Sequence, residues 1–209
     1  MQLTKFTHAC VRLDSGGRRL LIDPGIWAED AAFEGVTDVI VTHEHFDHLD
    51  VDRLSAAARR DSALTVHATA AVGGQLAALG DAAVVVVPGD TFSAGGFSVS
   101  VVGGEHAEVY DGQPGIANVG FVVDAEVYHP GDSFFVPDVP VGTLLVPTAA
   151  PWLKLAEAID FVRAVGPRRA HSIHDAMLND RGTPVVDRLL DLNGGTDYSR
   201  ITVGSTVEV

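Results

Sequence analysis

Six consecutive residues, His43-Glu44-His45-Phe46-Asp47-His48, constrain this chain more than any other stretch. Three imidazoles, with Asp47 among them, follow directly on the short apolar run Asp38–Thr42, which reads as a strand. Imidazole nitrogen and carboxylate oxygen are the natural ligands of zinc and similar divalent cations. In an extended chain His43 and His45 point the same way and can share one cation. Asp47 and His48 can then turn toward a second. At this chain's own histidine and aspartate content, H-x-H-x-D-H arises by chance in roughly one such sequence in several hundred.

Around this run the pattern is that of strands interspersed with a few helices. Gln2–His8, Cys10–Asp14 and Arg19–Ile22 read as strands, the last two joined by a hairpin turn at Ser15-Gly16-Gly17-Arg18. Further strands are expected at Leu64–His67, Ala83–Val87 (buried), Phe97–Val102, Asn118–Val123, Glu126–Tyr128, Thr143–Val146, Ala170–Ile173, Ile201–Val203 and Val207–Val209. Asp50 is placed to cap a helix bearing Leu54, Ala57 and Ala58 on one face. Thr69–Leu79 reads as a small-residue helix, and Pro151–Val165 as a helix ended by Gly166-Pro167. Thr183 is placed to cap the last helix, with Pro184 at its first position and Asn193-Gly194 at its end. Two packed sheets with helices outside satisfy this order, in one domain of 209 residues. Pattern alone leaves the topology open.

The other candidate ligands fall just past predicted strands, where loops gather residues distant in sequence. They are His106 in Gly103-Gly104-Glu105-His106, Asp132 in His129-Pro130-Gly131-Asp132-Ser133, and His174. In this order, His43, His45, Asp47, His48, His106, Asp132 and His174 match the ligand series of the metallo-β-lactamase superfamily, which the chain resembles. Ile22-Asp23-Pro24-Gly25 resembles that family's acidic turn. His8-Ala9-Cys10, Asn118-Val119-Gly120-Phe121 and Tyr128-His129-Pro130-Gly131-Asp132 are similar to the branch typified by L-ascorbate-6-phosphate lactonase.

The resemblance implies an α/β, four-layer αββα sandwich with two divalent metal ions in a cleft between the sheet edges. It implies His43, His45 and His106 on one cation, Asp47, His48 and His174 on the other, and Asp132 bridging. The implied enzyme is a hydrolase in which Asp47 and Asp132 serve catalysis. A hydroxide shared by the cations attacks a small lactone, ester or phosphoester. Zinc is the first expectation, and manganese, iron or nickel also accept these ligands. The alternatives are a metal-binding protein without catalysis and a nuclease of the same superfamily. Flavodiiron-type relatives carry glutamate where His45 stands. Many β-lactamases need a cysteine ligand, whereas Cys10 lies far upstream. Glyoxalase-type thioesterases need a further C-terminal extension.

Asp23 is expected to orient a ligand through hydrogen bonds. His8 is either a residue facing a ligand or the substrate, or a hydrogen-bonded histidine at a strand end. His67, His129 and His171 have no place in the ligand series and read as structural. Cys10 reads as a small buried residue. Tyr110, Phe134 and Trp152 fall in loops expected to rim the cleft, with substrate contact and packing both open, and Lys154 is expected to face water.

Composition bounds the partners. Twenty-eight acidic against 14 basic residues give a net charge of −14, which repels phosphate backbones, so a small-molecule substrate is expected and nucleic acid is not. A single cysteine forms no internal disulfide. The first residues do not read as a signal peptide, and the apolar runs are too short to span a bilayer, so a cytoplasmic protein without membrane partners is expected. The sequence does not fix the oligomeric state.

Overall fold

The turn after Asp14 forms as the sequence predicts. Gly16 and Gly17 sit at φ 55° and 84°, left-handed conformations that a tight two-residue hairpin demands and glycine adopts freely. They join β2 (Val11–Ser15) to β3 (Arg18–Ile22). In the computed structural model, which describes residues 1–209, this hairpin belongs to a seven-stranded sheet. Its order is β14 (Thr206–Glu208), β1 (Gln2–Lys5), β2, β3, β4 (Asp38–Val41), β5 (Thr65–Ala68), β6 (Ala83–Val85). A second sheet runs β13 (Asp197–Tyr198), β12 (Arg169–Ile173), β11 (Thr143–Pro147), β10 (Val127–His129), β9 (Val119–Val123), β8 (Phe97–Gly103), β7 (Thr91–Ala94).

Alternation along the strands sends apolar side chains to both faces of each sheet. Leu13, Leu20 and Ile40 of the first sheet meet Val99, Phe121 and Leu145 of the second in a shared core. On the outer face of the first sheet, Leu21, Val39 and Val66 pack against Leu54 of α1 (Val51–Arg60) and Val72 of α2 (Ala70–Gln75). On the outer face of the second, Leu144 and Val146 pack against Phe161 of α3 (Leu155–Val165) and Leu190 of α4 (Gly182–Asn193). The layers are therefore helix, sheet, sheet, helix. Asp50 caps α1 as expected, its side chain accepting from Arg53 N at 2.9 Å, a contact worth about 1 kcal/mol.

Strand direction decides where chemistry can gather. In the first sheet β1 and β3 each run antiparallel to β2, and β4 is parallel to β3. In the second, β8 and β10 both oppose β9, while β11 and β12 run parallel to β10. Within the first sheet β1, β3 and β4, and within the second β8, β10, β11 and β12, thus finish at the same end. His8, Asp23, His43–His48, His106, Asp132 and His174 all follow such ends.

Several boundaries differ from the sequence reading. The first strand stops at Lys5, because Phe6 N closes a turn on Cys10 O and His8 takes a left-handed φ of 67°. The expected helix Thr69–Leu79 breaks after Gln75 into a 3₁₀ turn, Ala77–Ala82, since Gly73 and Gly74 weaken it. The strand expected as buried at Ala83–Val87 is a short edge strand, with Val84 and Val85 exposed. The third helix begins at Leu155 rather than Pro151, after Pro151 and Trp152 form a turn. Arg181, not Thr183, occupies the cap position of α4, and the Thr183 hydroxyl donates back to Asn179 O at 3.0 Å. Ile201–Val203 is a loop whose Ile201 fills the inter-sheet core. β7 (Thr91-Phe92-Ser93-Ala94) carries a single large apolar residue, and β13 and a 3₁₀ turn at Asp30–Phe33 are too short to show a period. No helix is long and apolar enough to cross a membrane.

Candidate metal centre

The end of β4 runs into Thr42, whose backbone N–H and hydroxyl both donate to the wholly buried carboxylate of Asp23, at 2.8 and 2.7 Å. With its proton committed to Asp23, the Thr42 hydroxyl oxygen accepts from His43 Nδ1 at 3.0 Å. His48 Nδ1 donates to Asp23 Oδ2 at 2.7 Å. His106 Nδ1 donates to Ala107 O and His174 Nδ1 to Ala149 O, each at 2.6 Å. Four imidazoles are therefore anchored through Nδ1 and turn Nε2 inward, the nitrogen free to meet a cation once any proton on it is displaced.

Three of these Nε2 atoms converge on Asp132. Its Oδ1 lies 3.0 Å from His48 Nε2, and its Oδ2 lies 3.3 Å from His106 Nε2 and 3.1 Å from His174 Nε2. The separations are short, yet none has hydrogen-bond geometry. His48 Nε2, His106 Nε2, His174 Nε2 and Asp132 Oδ1 are all buried without a hydrogen-bond partner. His43 Nε2 faces His45 Nδ1 at 3.1 Å. Buried polar atoms are normally satisfied, so orphans clustered this way mark a place for a ligand.

The donors fall into two groups, each with ligand atoms within 4.8 Å of one another: His43, His45, His106 and Asp132; and His8, Asp47, His48 and His174. His8 differs from the rest of its group. Its Nδ1 accepts from Ala176 N at 3.3 Å, so its proton sits on Nε2 and donates to Asp47 Oδ2 at 3.0 Å. This tautomer suits a donor that orients Asp47 better than a ligand. Asp132, within reach of both groups, then completes each. A neutral-imidazole and carboxylate set of this kind fits two divalent cations.

The charge states follow from this crowding. Burial would lower His174, but Asp132 and Asp47 hold its pKa up at about 9. Burial likewise opposes the charge on His48, and Asp132 and Asp23 keep it well above its ordinary value. Burial drives His43 well down, aided by His48, and takes His8 to about 4. Asp132 stays well below the carboxylate range despite its burial, because His48 and His174 favour its charge.

The backbone is held to match. His8, Asp23 and His174 adopt φ of 67°, 50° and 51°, left-handed conformations that concentrate at functional sites. Gly131 (φ 63°) precedes Asp132 where a Cβ would collide with the side chains of Asn118 and Thr42. Asn118, buried, accepts from Asp132 N at 3.0 Å and donates to Pro130 O at 2.9 Å, clamping that loop.

Comparison with known proteins is consistent with this geometry. The family described as the Beta-lactamase superfamily domain matches residues 2–174. The chain belongs to the metallo-β-lactamase superfamily. Protein Rv0786c of Mycobacterium tuberculosis is 39% identical over 186 residues, 85% of each chain. A UPF0173 metal-dependent hydrolase of Chelativorans is 32% identical over 64% of this chain and 63% of its own length. The metallo hydrolase Igni18 of Ignicoccus hospitalis superposes with a TM-score of 0.76 at 19% identity, covering 99% and 97% of the two chains. The metallo-β-lactamase fold protein YhfI of Bacillus subtilis gives 0.77 at 16% identity, covering 99% and 98%. At such identities the two structures speak for the fold alone. By sequence the chain sits among the superfamily's metal-dependent hydrolases.

In this superfamily member all seven residues read as ligands come together, as do His8 and Asp23. His129 is held between Ala9 O and Gly131 N, His171 contacts Ser199, and His67 stacks on Phe92 at 4.3 Å, so none of the three joins the centre. Cys10 is buried, and burial raises its thiol pKa strongly. Lys154 faces water beside Glu157. Of the three expected rim aromatics only Tyr110 is open, at 80% exposure. Phe134 packs on Phe161, and buried Trp152 donates Nε1–H to Asp132 Oδ2 at 3.2 Å. The sequence names Trp152 only as a rim aromatic and Asn118 only within a motif, and the contacts of Trp152, Thr42 and Asn118 at the centre are not legible in it. Thr42, directly before His43, offered the one local signal.

Proposed function

We propose that the protein hydrolyses a lactone, ester or phosphoester bond of a small molecule at a centre of two divalent cations. His43, His45 and His106 would hold one, Asp47, His48 and His174 the other, and Asp132 both. The observation that carries this reading is the set of buried, unpartnered atoms on His48, His106, His174 and Asp132 that face one another. Two cations held there, zinc or else manganese, iron or nickel, supply Lewis acidity and lower the pKa of water toward neutrality.

The chain's own residues prepare that chemistry. Asp23, Thr42, Ala107 O and Ala149 O keep the imidazoles in the tautomer that presents Nε2. Trp152 restrains one oxygen of Asp132, and His8 restrains Asp47. Asp47 and Asp132 remain charged, giving the centre two anions against its cations. The likeness of His8-Ala9-Cys10 and Tyr128–Asp132 to the L-ascorbate-6-phosphate lactonase branch favours a lactone or related ester.

The test is a turnover panel of small lactones, aryl esters, phosphodiesters and structured RNA, run on protein reconstituted with each metal. Chelator-sensitive turnover of a small ester or lactone, with RNA left intact, is the expected result. Saturated metal sites with no turnover would support the non-catalytic alternative, and cleavage of RNA alone would support a nuclease.

A further inference from the structure

The loops that end at the metal centre carry two features not required for holding metal. The first is apolar. Trp27, Phe46, Tyr110 and Phe135 are the aromatic side chains that remain exposed, at 39%, 58%, 80% and 42%, and every one lies on these loops. On the side of His8 and Asp47, Trp27 and Phe46 form a wall. The Trp27 ring meets His8 edge-on at 5.0 Å and Phe46 at 5.6 Å. Ile26 N donates to Phe46 O at 2.9 Å, fixing the two segments together. Ala176 N bonds His8, and the next residue, Met177, is 53% exposed. Exposed apolar side chains gathered at one place, rather than scattered, mark a binding surface.

The second feature is charge. Residues 23–30, 41–52, 103–117, 129–142, 147–153 and 172–180 include every site residue but His8, and they contain no lysine or arginine. They do contain Glu29, Glu44, Glu105, Glu108 and Asp111. The neighbouring cations are largely committed. Lys5 is buried and spends its ammonium on Phe6 O, His8 O and Asp175. Arg53 pairs with Asp30 and, at the surface, Lys154 with Glu157, while Arg181, exposed at the start of α4, makes no ion pair. A site for a phosphorylated or carboxylated substrate ordinarily offers arginine or lysine to the anion.

We infer that the substrate is an uncharged ester or lactone whose apolar arm lies along the Trp27–Phe46 wall. This rests on the hydrolase reading above and narrows it, setting aside sugar phosphates and phosphoesters. In the reaction the water oxygen bonds to the acyl carbon, the acyl C–O bond breaks, and the proton ends on the leaving alkoxide. The acyl carbon sits at the centre and its chain runs over Phe46 toward Met177.

The experiment compares p-nitrophenyl acetate, p-nitrophenyl hexanoate and the p-nitrophenyl monoester of adipic acid on metal-loaded protein. Binding of hexanamide, which has the same arm and charge but resists hydrolysis, is measured in parallel by calorimetry. The expected result is a kcat/KM for hexanoate roughly tenfold or more above acetate, with the anionic adipate ester below hexanoate. In Phe46→Ala and Trp27→Ala the hexanoate-to-acetate ratio falls toward one and hexanamide binding weakens in step. Leu192→Ala, an exposed apolar change on α4, keeps the ratio. A ratio near one in the natural protein, a preference for the adipate ester, or a ratio indifferent to Phe46→Ala would overturn the inference. If neither these esters nor any compound of the wider panel above turns over, the hydrolase reading fails. Hexanamide binding sensitive to Phe46→Ala would still support the apolar subsite, and absence of such binding would sink it too. Binding to neutral lipid vesicles, lost in Phe46→Ala without any hexanamide binding, would assign the wall to a membrane surface instead.

Discussion

Asp23→Asn tests how the centre is held without touching the proposed ligands. Asp23 is fully buried, and its two oxygens take three donors: Thr42 N at 2.8 Å, Thr42 Oγ1 at 2.7 Å and His48 Nδ1 at 2.7 Å. Asparagine keeps one acceptor oxygen, so its NH₂ must face either Thr42 N–H or the N–H of His48. A buried donor left without an acceptor costs about 1–3 kcal/mol. If the amide turns toward His48, the ring loses the bond that fixes its tautomer, and outer partners of this kind are worth about 10–100-fold in metal affinity. The hydroxyl of Thr42 also accepts from His43, so the disturbance reaches both cations, with the His48 cation weakened more. Chelator competition on folded protein reads these affinities, and thermal melting reads the stability. Thr42→Val serves as a companion, breaking the link to His43 while sparing His48. Asp23→Asn protein that holds both cations as tightly as the natural chain would refute the reasoning.

The remaining expectations concern single groups. Asp132→Ala should lose metal affinity and activity together, by 100-fold or more in order of magnitude, while His171→Ala, whose ring contacts Ser199, should keep both; equal metal loss in the two variants would place the last ligand wrongly. His8→Gln, which can still donate toward Asp47, should retain more of the second cation than His8→Ala by roughly tenfold in affinity, whereas equal loss in both would mean that His8 is itself a ligand. His174 has its pKa raised to about 9 in the metal-free protein, so its contribution to stability is complete below its ordinary value of 6.5 and is lost as pH rises through 9. Cations displace that proton, so the melting-temperature gap between metal-loaded and chelated protein should widen from pH 6.5 to 9; a constant gap would argue against His174 as a ligand.

Much of the fold and centre could be read from sequence because the signals were local. H-x-H-x-D-H, the Gly16-Gly17 turn and the Asp50 cap each act within a few residues, and the strand ends that deliver His106, Asp132 and His174 carry clear apolar runs. What stayed hidden depends on tertiary partners. Trp152 reaches Asp132 across 20 residues, and nothing in its own neighbourhood predicts a turn in place of a helical start at Pro151. His8 was left between two roles because its tautomer is set by Ala176, 168 residues away. The choice between contact and packing at the rim depends on tertiary partners too: Phe134 packs on Phe161, while Trp27 and Phe46 stay exposed. The edge strand β7, with Phe92 its one large apolar residue, shows no apolar run.

The most direct test is anomalous diffraction from crystals of the protein grown with zinc or manganese, with data collected on both sides of the metal absorption edge. Two peaks are predicted, one among His43, His45 and His106, the other among Asp47, His48 and His174, with Asp132 in contact with both and His8 in contact with neither. A single peak at full occupancy, or two peaks with Asp132 turned away from one of them, would contradict the two-cation centre on which the account rests.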